Sequence, residues 1–280
     1  MALRAFPPRG SDRLRNGRAV IMTVPRDAGL PEATISELDG VRYLHLDTPW
    51  VQGAMNIRRP RTVVLEYVQR MLAWMLWRPQ EALGRGHAVQ LGLGAAAITR
   101  FTHRTLHMRT TAVELNPAVI AACRRWFRLG ADDARLSVVQ ADAASWLRSA
   151  AAPRGEVSSL CVDLYDHEAA APVLDDAKFY ADCRTLLCED GVMSVNLFGR
   201  QASFERSMAH IAAAFGADRL WHLKPTREGN SIAVATHTAV VPDRHIWLAR
   251  ADNIESRYGL PARKWLRLVQ PWNPEASTKR

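Results

Sequence analysis

Residues 87–116, HAVQLGLGAAAITRFTHRTLHMRTTAVELN, constrain the fold more than any other stretch. They read as a buried strand from Ala88 to Leu91, a tight Gly92-Leu93-Gly94 turn, and a helix from Ala95 to about Leu106. A second apolar strand from Thr111 follows, closed by an acid at Glu114. This is one βαβ unit, and it demands a parallel sheet. Gly92 and Gly94 let the chain turn sharply and bring backbone N–H groups close to a ligand at the positive end of the next helix. Glu114, about 20 residues past the turn, stands at a strand tip, where a carboxylate can accept both hydroxyls of a ribose. Ala97 holds the place of a third glycine, and no Gly-Lys-Ser/Thr follows; with the helix, strand and terminal Glu behind it, the turn reads as the cradle of a nucleoside-containing ligand ahead of a merely structural turn.

The 280 residues are 48% hydrophobic, enough to bury the core of one large domain with a small appendage. No apolar run approaches the roughly 20 residues that a membrane helix requires, so no membrane partner is expected. The opening residues MALRAFPPRGSDRLRNGR are rich in arginine. Pro7, Pro8 and Gly10 interrupt any amphipathic helix there, which favours a disordered basic tail over 1–30 above an organelle transit peptide. Cys123, Cys161, Cys183 and Cys188 form no Cys-x-x-Cys pair and fall in apolar or helical patterns; they read as buried free thiols in a reducing, cytoplasmic compartment, with no structural zinc. The net charge of +9 is scattered, without a basic run interleaved with aromatics, and reads as a solvated surface; a nucleic-acid partner stays open.

Ahead of the core unit, Ala33 to Asp47 alternates around Asp39-Gly40, a dipeptide preferred in two-residue hairpins, so 31–61 is expected to form a small β region. Thr48 to Pro60 reads as irregular and carries Gln52. A helix is expected from Thr62 to about Trp77, with Val64, Leu65, Val68, Met71, Leu72, Met75 and Leu76 on its apolar face. After Glu114 come a helix from Asn116-Pro117 to about Leu129, a strand Leu136 to Gln140 ending at Asp142, and a helix Ala143 to Ala150. A near-continuous apolar strand, Val157 to Val162, ends in Asp163-Leu164-Tyr165-Asp166. A helix from Asp176 to Leu187, a strand from Gly191 to Phe198 and a helix from Gln201 to Phe215 come next. Two strands, Arg219 to Leu223 and Ser231 to Thr236, then follow without a helix between them.

The expected fold class is α/β: a doubly wound, seven-stranded, mostly parallel sheet behind a small N-terminal β-hairpin domain. The Rossmann-like domain and its leading helix occupy 62–241, and 242–280 is a C-terminal extension with helical patterns from His245 to Ala251 and Ala262 to Val269. Asp175-Asp176 suits a helix start, where acids meet the dipole, better than a metal site. His167 reads as a solvated loop residue.

Ligands of open α/β sheets lie beyond the carboxyl ends of the strands, near the switch point. Here those ends carry the glycine turn, Glu114, Asp142 and Asp163 in succession. The pattern matches the cofactor site of class I S-adenosylmethionine-dependent enzymes, and from about Gln52 to Phe198 the chain resembles the spermidine synthase (polyamine aminopropyltransferase) family. The resemblance rests on Gly92-Leu93-Gly94-Ala95-Ala96-Ala97, on Glu114-Leu115-Asn116-Pro117-Ala118-Val119-Ile120, on Asp142-Ala143, on Asp163-Leu164-Tyr165-Asp166, and on Phe179-Tyr180 before Asp190-Gly191. Asp-x-x-Asp is its most specific part.

The resemblance implies transfer of an aminopropyl group from decarboxylated S-adenosylmethionine to a polyamine amine, without a metal. By it, Asp163 is the catalytic base, aided by a tyrosine from the helix before the core, for which Tyr67 is the nearest candidate. Gln52, Gly92, Leu93, Gly94, Glu114, Leu115, Asp142 and Ala143 hold the cofactor, and Asp166 and Tyr165 the amine; a homodimer is also expected. Where the family carries an Asp in the glycine turn this chain has Ala95, and His167 replaces the proline after Asp-x-x-Asp. Ala95 keeps ordinary S-adenosylmethionine open as cofactor. Two other readings therefore stand beside the first: a methyltransferase acting on a small molecule or RNA, and a non-catalytic nucleoside-binding homologue.

Overall fold

The computed structural model describes residues 22–24, 29–48, 50–164, 176–198, 201–238 and 241–274. Most of the basic tail, together with Tyr165, Asp166, His167 and Asp175, lies outside the described residues.

The N-terminal region is a four-stranded antiparallel sheet in the order β1 (Met22–Val24), β2 (Ala33–Leu38), β3 (Val41–Leu46) and β4 (Gly53–Asn56). Asp39 and Gly40 turn β2 into β3 with φ of 52° and 75°, the left-handed pair that a two-residue hairpin requires. Strand β4 falls in the stretch expected to be irregular. Its residues, Gly-Ala-Met-Asn, include no β-branched side chain, and it forms through its ladder to β3 and the burial of Gly53, Ala54 and Met55.

Among the described residues the main sheet has eight strands. Five are parallel, in the spatial order β7 (Leu136–Gln140), β6 (Arg109–Glu114), β5 (His87–Leu91), β8 (Val157–Val162) and β9 (Leu187–Phe198). Three antiparallel strands extend it: β11 (Asn230–Thr236), then β10 (Leu220–Leu223), then β12 (Val269–Pro271) at the edge. The eighth strand is β12, a short Val-Gln-Pro segment whose proline is tolerable because it borders no further strand.

Helices cover both faces. On one lie α1 (Glu66–Met71), α2 (Ala97–Arg100), α7 (Arg244–Tyr258) and α8 (Ala262–Leu268), sharing a core with Trp74, Phe101, Trp221 and Trp265. On the other lie α4 (Ala143–Arg148), α5 (Ala177–Leu186) and α6 (Gln201–Phe215), packed around Trp146, Phe179, Tyr180 and Phe215. Helix α3 (Pro117–Trp126) joins the main sheet to the N-terminal one through Val119, Phe127, Ile35 and Leu44. The leading helix starts at Glu66 and not at Thr62, because Leu65 is extended (ψ 134°). From Leu72 to Leu76 it tightens into a 3₁₀ helix in which all five residues are buried, as a segment enclosed by the sheet and by α7 and α8 must be. The helix after the glycine turn likewise widens into a π-helical segment, Phe101–Thr105.

Candidate active site

Strand β5 pairs in parallel with β6 on one side and β8 on the other, so the winding reverses across it and its carboxyl end opens on the switch point. Backbone bonds tie the tips there together. Gly92 N donates to Val113 O (2.9 Å), Asp163 N to Leu91 O (2.8 Å) and Ala141 N to Glu114 O (3.0 Å). The glycine turn and the three acids expected from the sequence therefore share one sheet edge.

The turn admits no side chain where it has none. Gly92 has φ +83°, and a Cβ there would stand 2.0 Å from Asp163 O. Gly94 has φ +51° and meets Gln52 O, which would lie 3.0 Å from an added Cβ. Buried groups hold the turn from beneath: Gln90 Nε2 donates to Gly92 O (2.6 Å), Cys123 Sγ to Gly94 O (3.0 Å) and Arg100 Nη1 to Ala95 O (2.5 Å). Gln90 is itself oriented by Thr99, whose hydroxyl donates to its Oε1 at 2.5 Å. Burial pushes the Cys123 thiol well up and the Arg100 guanidinium down to about 10, so Cys123 serves the turn as a neutral donor. Such a cradle suits the close approach of a nucleoside.

Glu114 is fixed from both sides. Leu93 N donates to its Oε2 (2.8 Å) and Asn116 N to its Oε1 (2.9 Å), Leu115 N bonds the same carboxylate, and acceptor capacity is left over for a ligand hydroxyl. Burial raises its carboxyl above the usual range, the backbone donors pull it back, and Asp163 nearby raises it further. Asp142, one strand beyond, caps α4 by accepting from Ser145 N at 2.8 Å. It is exposed and Ala143 beside it is buried, while Leu115 is 50% exposed, an apolar surface open to a planar base.

Among the described residues the Asp163 carboxyl is strongly perturbed. Burial pushes it up to about 6, against hydrogen bonds from Asn196 and Tyr67 that favour the charged form. Asn196 Nδ2 donates to its Oδ1 at 2.9 Å. The Tyr67 hydroxyl, on α1, stands within reach of both Asp163 and Gln52 O (3.5 Å), and its single hydrogen serves one of them at a time. Gln52, Tyr67, the glycine turn and Asp163 thus converge, although they come from four separate segments. Among the described residues no cluster of three or more His, Cys, Asp or Glu is arranged to hold a metal ion.

No protein-family model matches the chain. A polyamine aminopropyltransferase of Neisseria meningitidis serogroup A is 31% identical over 253 residues, 89% of this chain and 93% of that one. The chain belongs to the polyamine aminopropyltransferase family. A polyamine aminopropyltransferase of Chromobacterium violaceum is 28% identical over 257 residues, spanning 90% of this chain and 95% of its own length. Among solved structures, a probable spermidine synthase from Corynebacterium glutamicum superposes with a TM-score of 0.70 at 16% identity, covering 94% of both chains, and so shares the fold.

For an aminopropyltransferase-family chain the sequence reading missed the buried amides: Gln90 under the glycine turn, and Asn196 with Asn230 behind Asp163. The one trace they leave is an amide in or at the end of an otherwise apolar strand, as in GVMSVNLF and NSIAVAT. Of the cysteines, Cys188 is only half-buried, because it lies where β9 leaves the core and donates to Asp190 at 3.1 Å. Among the described residues no helix is long and apolar enough to cross a membrane.

Proposed function

We propose that the protein transfers the aminopropyl group of decarboxylated S-adenosylmethionine to an amine of a polyamine, with Asp163 as general base. The observation that carries this reading is the Asp163 carboxylate itself, half-buried at the switch point, raised to about 6, and held by Asn196 and Tyr67. A base near neutrality is what the reaction needs, since the attacking amine must be neutral to act as a nucleophile. The amine nitrogen attacks the methylene carbon next to the sulfonium; a C–N bond forms, the C–S bond breaks, and methylthioadenosine leaves as a neutral thioether. The proton lost by the nitrogen goes to Asp163.

The other groups bind. Glu114 accepts the ribose hydroxyls, Leu115 and Ala143 flank the adenine, Asp142 accepts from its amino group, and Gly92, Leu93, Gly94 and Gln52 line the donor's path. Tyr165 and Asp166 would hold the acceptor's distal ammonium. The four cysteines, free in the structure, suit a reducing cytoplasmic setting.

One observation favours a second reading. Ala95 is 2% exposed and packed beneath β4, so the glycine turn offers no carboxylate to the donor's ammonium; a methyltransferase using ordinary S-adenosylmethionine on a small molecule or RNA would not need one. Thermal-shift titration with S-adenosylmethionine, its decarboxylated form and methylthioadenosine separates the readings. Stronger stabilisation by the decarboxylated compound, with methylthioadenosine released in step with acceptor consumed when 1,4-diaminobutane is added, supports aminopropyl transfer. Equal or reversed order favours methyl transfer, and no shift removes both.

A further inference from the structure

We propose that Asn230 is a positioning residue for the transfer, acting through Asn196 to keep an N–H edge on the Asp163 carboxylate. The inference rests on the reading of Asp163 as the base. Register brings the three residues together. Val162 pairs with Val195, which sets Asp163 beside Asn196, and Asn196 and Asn230 share one face of the β9–β11 ladder, opposite Ile232 and Phe198 respectively. Asn196 Nδ2 donates to Asp163 Oδ1 at 2.9 Å, and Asn230 Nδ2 donates to Asn196 Oδ1 at 3.1 Å. Asn196 is 2% exposed and Asn230 9%.

The polarity of this chain follows from the charge at its end. An ionised carboxylate can only accept, so Asn196 must present its NH₂ to Asp163, which turns its carbonyl toward Asn230, which must then donate. Reversing the Asn196 amide would set two oxygens against each other in a buried site, and only a protonated Asp163 could tolerate that. The backbone of Asn230 is pinned within reach of Asn196, Asn230 N donating to Thr226 Oγ1 at 3.2 Å and Thr226 N to Asn230 O at 2.8 Å, so its amide is the donor at hand for Asn196 Oδ1. A strand as apolar as β11 needs no amide for its fold at this position. Among the described residues, the titratable groups facing Asp163 are Tyr67 on α1, Glu114 at the tip of β6 and Cys161 on β8, and the chain through Asn230 reaches it through neutral amides.

The test compares the full-length wild type with Asn230→Leu and Asn230→Asp in aminopropyl transfer across a pH series. Asn230→Leu removes the donor at similar volume and is expected to lower kcat about tenfold near pH 7, with KM for decarboxylated S-adenosylmethionine unchanged. Asn230→Asp replaces the donor with an acceptor, inviting the Asn196 amide to reverse. It is expected to lower kcat about a hundredfold at that pH and to move the acidic limb of kcat/KM upward by a unit or more. Two folded variants with wild-type kcat and an unmoved limb overturn the inference, as does a loss that only tracks the folded fraction. If Asn230→Asp does not fold, the kcat against KM split of Asn230→Leu decides alone. An inactive wild type would instead overturn the assignment of the base, and this inference with it.

Discussion

Gly53 approaches Ala95 so closely that a Cβ at position 53 would stand 2.4 Å from the Ala95 nitrogen and 2.5 Å from its Cβ. The N-terminal sheet is in this way seated on the glycine turn, and the residue before β4, Gln52, is carried to Gly94 and Tyr67. Neither backbone can yield cheaply, since the turn is held from below by Gln90, Cys123 and Arg100. Gly53→Ala is therefore expected to destabilise the protein by about 1–3 kcal/mol, the range for overpacking a closed core. It should also weaken methylthioadenosine binding, because relief of the clash must shift the turn. Thermal unfolding and calorimetric titration of the variant check both effects.

Asp163→Asn removes the proton acceptor while an amide of the same shape can still bond Asn196 and Tyr67. Turnover is expected to fall by about 10²–10⁴, the usual worth of a positioned general base, with methylthioadenosine affinity within about threefold of wild type. Single-turnover rates beside binding isotherms measure the two separately. A variant with full turnover would remove Asp163 from the chemistry.

What could be read from the sequence was whatever a single segment encodes by itself. Apolar runs such as Val157–Val162, closed by one acid, announce both a buried strand and the carboxylate at its tip, and Asp39-Gly40 announces its hairpin. The rest depends on partners distant in the chain. Strand β4 exists because β3 lies beside it, and β12 because β10 offers an edge nearly 50 residues earlier in sequence. Tyr67 reaches Asp163 because α1 lies across β9 and β11, while the segment behind it, Leu72 to Leu76, is enclosed by the sheet, α7 and α8 and tightens out of α-helical form. Asn196 and Asn230 stand 34 residues apart in the sequence, and only the register of β9 on β11 sets them one behind the other.

Glu114 has two tasks, and one substitution separates them. Its carboxylate fastens Leu93 N and Asn116 N and, by the proposed function, accepts the ribose hydroxyls. Glu114→Gln keeps the shape but replaces one acceptor oxygen with a donor, which faces an N–H on one side. A loss of about 1–3 kcal/mol in stability is expected from the unsatisfied backbone donor, and at least tenfold in methylthioadenosine affinity. Comparison of melting temperatures with and without saturating ligand checks whether the second loss exceeds the first.

The raised carboxyl of Asp163 sets activity against stability. Burial holds it at about 6, above the ordinary value of 3.8, so the folded protein binds this proton more tightly than the unfolded chain does. The stability contributed by that proton is fully present below about pH 4 and is lost as pH rises to about 6, the same interval over which the base becomes available. The expected profile is a kcat/KM that climbs with pH through about 6 and then levels. Tyr67→Phe removes a donor that favours the charged form, so its limb should lie higher, with the deficit largest below pH 7 and shrinking above it. Asp163→Asn, which never ionises, should escape the penalty. It is expected to exceed wild-type stability at pH 7.5 by about 3 kcal/mol and nearly to match it at pH 4, since a shift of one pKa unit corresponds to about 1.4 kcal/mol. Denaturant unfolding of the two proteins at both pH values measures this, and equal differences at pH 4 and 7.5 would remove burial of Asp163 as the source of its raised pKa.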